Sequence, residues 1–119
     1  INHAAVEPNV PLLHMDEWDW HRVLDVNLTG AFLMIQSVGR VMREQGRGVI
    51  ISLVTEAVRD EKNARAELGR SEAAFVASMQ GLQSFTQQAA RELSPHGIRV
   101  YAIENTQATI VANVLALFE

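Results

Sequence analysis

Along the chain, the spacing of apolar residues switches between the helical and the extended period, and turn residues bracket each switch. A short opening run, "INHAA", gives way to "VEPNVPLL", whose two prolines oppose regular structure. From there Trp20, Val23, Leu24, Leu28, Ala31, Phe32, Ile35, Val38 and Met42 recur at helical spacing and predict one long helix over residues 16–45. Asp16 is its expected N-cap, Glu17 and Asp19 suit the positive end of the helix dipole, and Gly46 and Gly48 end it. "VIISLV", residues 49–54, is a continuous β-rich apolar run, the signature of a central parallel strand covered on both faces. Residues 55–70, "TEAVRDEKNARAELGR", are polar and charged and too long for a tight turn. A second long helix over residues 71–93 starts at Ser71 and is stopped by "SPHG"; "IRVYAI" is the next strand, and "ATIVANVLALFE" reads as a closing amphipathic helix.

Strand and helix therefore alternate three times. Right-handed crossovers then give an α/β half-sheet of about three parallel strands with three helices over its faces, in a single domain spanning residues 1–119. Composition narrows the function classes. A net charge of −4, a pI near 5.5 and nine scattered arginines argue against a nucleic-acid partner. The absence of cysteine excludes disulfides, thiolate metal sites and cysteine nucleophiles. No apolar run approaches the roughly 20 residues of a membrane span, and "INHAAVEPN" lacks the basic and apolar regions of a signal peptide, so a cytoplasmic location is expected.

The segments also carry a resemblance. "INHAA" is similar to the Asn-Asn-Ala-Gly turn after the fourth strand of the short-chain dehydrogenase/reductase family, and "DVNLTGAFLMIQSVGRVM" to its helix with the active-site asparagine. "RGVIISLVTEAV" resembles the strand leading to the active-site serine, "AAFVASMQGLQSFTQQAARELSPHGIRVYAI" the catalytic helix and sixth strand, and "IVANVLALFE" the helix after the substrate loop. The resemblance covers practically the whole chain and implies the C-terminal half of a Rossmann-like, doubly wound, three-layer fold. It implies also that the glycine-rich dinucleotide-binding half would precede Ile1, and that the last strand and the segment covering the substrate are missing.

Enzymes of this family use a phenol as proton donor or acceptor and a lysine one turn along the same helix face, where the ammonium lowers the phenol pKa and holds the nicotinamide ribose. The matching positions here are Phe75 and Met79, which have neither proton nor charge to offer. The only tyrosine, Tyr101, falls on a strand, and the only lysine, Lys62, in the charged loop, so no Tyr-x-x-x-Lys exists. The resemblance places the serine at Thr55, with Ser52 a neighbouring candidate, and the asparagine at Asn27, which otherwise reads as a hydrogen-bonding residue across a helix irregularity. Asn2, Ala4 and Ala5 match the cofactor-side turn, whereas the usual Pro-Gly after the sixth strand reads Asn105 and Thr106.

Phe75, Met79, Leu82, Phe85, Ala89 and Leu93 form one apolar stripe, as expected of a buried helix or of a former pocket that has closed. His3, His14, His21 and His96 have no metal-ligand spacing, so no metal is expected. Trp20 matches a core position and leaves Trp18 as a contact residue. Two readings follow. The first is a catalytically degenerate relative without cofactor, leaning away from an enzyme and acting as a structural or regulatory subunit. It would form a homodimer or higher oligomer through helices 16–45 and 71–93, the pair with which the resemblance implies a four-helix bundle. The second is an oxidoreductase that receives NAD or NADP on a half supplied by another segment or chain, with Asn27 and Thr55 contributing residual chemistry.

Overall fold

The computed structural model describes residues 1–2, 10–55, 73–104 and 114–117. Within them the chain runs from a 3-10 turn at Leu12–His14 into helix α1 (Glu17–Leu24) and helix α2 (Gly30–Gln45). Strand β1 (Gly48–Val54), helix α3 (Ala73–Leu93), a 3-10 turn at Ser94–His96 and strand β2 (Ile98–Glu104) follow. Asp16 caps α1 as expected: its carboxylate accepts a hydrogen bond from the Asp19 N–H at 2.8 Å.

The long helix expected over residues 16–45 is interrupted at Asn27, where an irregularity is one of the readings. Asp25–Thr29 forms a π turn, in which the Gly30 N–H donates to the Asp25 carbonyl five residues back. The extra residue is absorbed without losing the buried face, because Val23, Asn27, Ala31, Ile35 and Gly39 are all buried at a constant spacing of four across the interruption. Gly46, at φ +73°, ends α2 in the left-handed region, whereas Gly48 belongs to β1 instead of ending the helix.

β1 and β2 pair in parallel, Gly48 opposite Ile98 through Val54 opposite Glu104. The third strand expected at "INHAA" is reduced, among the described residues, to a parallel bridge at Asn2. There the Asn2 N–H donates to the Ile51 carbonyl (2.7 Å) and the Leu53 N–H to the Asn2 carbonyl (3.0 Å). β1 thus has partners on both edges. Its residues from Ile50 to Val54 are buried on both faces, so the expectation of a central strand holds. The closing helix falls largely outside the described residues, which retain one helical turn at residues 114–116.

Helices α2 and α3 pack on one face of the sheet. Ile35, Ile50, Ala89, Ile98 and Val100 form one buried cluster, flanked by Met42, Phe85, Ala90 and Leu93. Ala31, Val54, Phe75, Met79 and Leu82 form a second, with Leu28 against it. Phe32, counted among the core positions by its spacing, is instead 41% exposed, with Leu33, Met34 and Val41 also exposed along α2. Trp18 is exposed with the Arg22 guanidinium over its ring, and Trp20 is half-buried, the division expected of the pair. Among the described residues no helix is long and apolar enough to cross a membrane.

Candidate functional site

The residues singled out by the sequence converge where the C-terminal end of β1 meets the π turn and the first turns of α3. β1 delivers Val54 and Thr55 at its end, the π turn presents Asn27, and α3 lays Phe75, Ser78 and Met79 on one face at helical spacing. Phe75 and Met79 are 6% and 4% exposed and share a cluster with Val54, Ala31 and Leu82. The apolar stripe on α3 is therefore largely core, with Phe85 and Leu93 half-buried at its far end.

Hydrogen bonds tie the same elements together. The Asn27 side-chain amide donates to Ser78 Oγ at 3.0 Å, and the Ser78 hydroxyl donates to the Phe75 carbonyl at 2.7 Å. Asn27 and Ser78 are both fully buried, and burial without partners would be unfavourable for each. Ser78 was not among the residues picked from the sequence; the available signal was a hydroxyl between Phe75 and Met79 on the face that goes inward. Just past β1, the Thr55 N–H donates to Met79 Sδ at 3.4 Å, a bond that spacing alone does not indicate. Ser52, the alternative to Thr55, lies fully buried within β1, and its hydroxyl has no hydrogen-bond partner among the described residues.

Asn2 meets β1 through its backbone, beside Ser52, while Ala4 and Ala5 lie outside the described residues, as do Lys62, Ser71, Asn105, Thr106 and His3. Tyr101 sits half-buried on β2, paired in register with Ile51. Among the described residues no three His, Cys, Asp or Glu gather into a group able to hold a metal ion.

The chemistry of this cluster follows from its atoms. A phenyl ring and a thioether cannot move a proton at neutral pH, and neither donates a hydrogen bond to a ribose. The backbone N–H of Thr55 is already given to Met79 Sδ. A separate groove of about 260 Å³ lies between α2 and α3, lined by Phe32, Ile35, Arg40, Arg43 and Phe85 with His96 at its end. Phe32 and Phe85 meet there edge to face, their ring centres 6.1 Å apart.

Comparison with known proteins places this arrangement in a family. The family model described as short chain dehydrogenase matches residues 1–112. The short-chain reductase protein NovJ of Streptomyces niveus is 37% identical over 103 residues, 87% of this chain and 36% of that protein. The (3R)-3-hydroxyacyl-CoA dehydrogenase of Homo sapiens is 38% identical over 101 residues, 84% of this chain and 36% of that protein. In three dimensions the chain is similar to NAD+-bound xylitol dehydrogenase with a TM-score of 0.71 and 30% identity, covering 87% of this chain and 37% of the other. The chain thus spans little more than a third of the length of these relatives. The family match extends over the α1–α2 helices, β1, α3 and β2 together, and the chain belongs to the short-chain dehydrogenase/reductase family.

Proposed function

We propose that this chain is a catalytically degenerate member of its family that serves as a structural or regulatory subunit and acts through association. The observation that carries the reading is the burial of Phe75 and Met79 in one apolar cluster, at the two positions where the resemblance implies a phenol and an ammonium. Loss of a general acid costs roughly 10² to 10⁴ in rate, and here the group that would orient it is gone as well. No resident cofactor is part of this reading, and the subunit is cytoplasmic.

Association uses the outer faces of α2 and α3. Phe32, Leu33, Met34 and Val41 on α2 and Val76 on α3 are exposed large apolar residues available to a partner. A second copy of the chain in the groove between the helices would bury Phe32 and Phe85, with Arg40 and Arg43 at the rim.

A second reading has specific support: Asn27 matches the asparagine that the resemblance implies, Thr55 offers a hydroxyl where it implies a serine, and the xylitol dehydrogenase that this chain resembles is NAD+-bound. On that reading the chain contributes to an NAD(P)-dependent oxidoreductase whose dinucleotide-binding half comes from another segment or chain. Light scattering with and without saturating NAD or NADP, together with a thermal melt of each sample, separates the two. A dimer or larger species with no melting shift supports the degenerate subunit. A clear upward shift supports the oxidoreductase, because a ligand bound only by the native state raises stability.

A further inference from the structure

We infer that Met79 is a structural clamp: its sulfur accepts the Thr55 N–H and so holds the end of β1 to α3. The inference rests on the reading of Phe75 and Met79 as a degenerate pair, but it goes further: the position has acquired a new task, beyond the loss of an old one. Three observations converge on it. The Thr55 N–H is the first backbone donor beyond the β1 ladder, and it points to Met79 Sδ at 3.4 Å. Met79 itself is 4% exposed, so the sulfur meets the strand end from within the core. Val54, the residue before Thr55, belongs with Phe75 and Met79 to the same buried cluster, so packing and hydrogen bond hold the same two elements.

A thioether is suited to this task. It is a weak acceptor on a flexible, apolar stem, able to satisfy a partly buried N–H without bringing a charge into the core. A lysine at the same position carries only donors, and two donors facing each other leave the Thr55 N–H without a partner. Replacing Met79 by Lys alone therefore opens the strand end and does not by itself rebuild a ribose contact.

The decisive measurement is hydrogen exchange at the Thr55 amide in the full chain, wild type against Met79→Leu, which keeps the apolar volume and removes the acceptor. The expected result is a protected Thr55 amide in the wild type that exchanges roughly tenfold faster in Met79→Leu, while the amides of Ile50 to Leu53 keep their protection. Unchanged protection at Thr55 in the variant overturns the clamp. Should Met79→Leu fail to fold, the wild type still decides: a Thr55 amide exchanging at the rate of an unstructured peptide overturns it, and a protected one supports it. Melting the wild type with NAD and NADP tests the underlying reading separately. A nucleotide-induced rise there with a protected Thr55 amide removes the degenerate-site reading and leaves the clamp standing.

Discussion

Phe75, Met79, Asn27 and Ser52 illustrate how differently single buried side chains respond to change. Phe75→Tyr combined with Met79→Lys puts a hydroxyl and an ammonium into an apolar cluster that offers neither a charged partner. We expect a loss of about 2 to 4 kcal/mol, read as a lowered melting temperature; a double variant melting with the wild type would mean that the space beside Thr55 is open. Asn27→Ala leaves the Ser78 hydroxyl without the amide that donates to it and removes a buried polar group from its network. Its expected cost is about 1 to 3 kcal/mol by chemical denaturation. Ser52→Ala runs the other way. Its hydroxyl is fully buried without a partner among the described residues, so removing it should leave stability unchanged or raise it. Denaturation midpoints of the two variants side by side check the contrast.

At the scale of elements, the connections are set by two glycines in the left-handed region. Gly46 closes α2 at φ +73° with open space where a Cβ would stand, so Gly46→Ala meets only the backbone penalty of about 1 kcal/mol. Gly97, at φ +76° after the Ser94–His96 turn, is tighter, because an added Cβ would run into the carbonyl oxygen of Gly46. Gly97→Ala should therefore be clearly more destabilising than Gly46→Ala, and thermal melts of the pair test that order. The glycine closing α2 and the glycine opening β2 are thus packed on each other, which fixes where β1 and β2 begin and holds Gly48 opposite Ile98. Helix stops at both points were legible from glycine and proline alone. A helix irregularity at Asn27 is among the sequence readings, but its form as a π turn over Asp25–Thr29 is not, since a spacing of four on the buried side reads the same in an unbroken helix.

For the whole molecule, the question is what covers the outer faces of α2 and α3. Phe32→Glu places a charge on the exposed apolar face while disturbing the core little, since the ring is 41% exposed and its aromatic neighbour is Phe85. If a second copy occupies this face, light scattering should show a lower mass for Phe32→Glu, with secondary structure retained in circular dichroism. An unchanged mass would remove the groove from the association surface.

The order of elements, the parallel strand pairing and the inward stripes on α2 and α3 follow from period and punctuation, because the same residues that want burial occur at the spacing of the element that buries them. The family was legible too, since those elements come with recognisable residues in order. Tertiary structure alone decided the rest. It turned Phe32 outward and brought Ser78 to Asn27 across 51 residues of sequence. It also aimed the sulfur of Met79 at the backbone of Thr55. These are contacts between elements, governed by how α2 and α3 seat on the sheet, and periodicity within one element fixes a face but not the atom that face will meet.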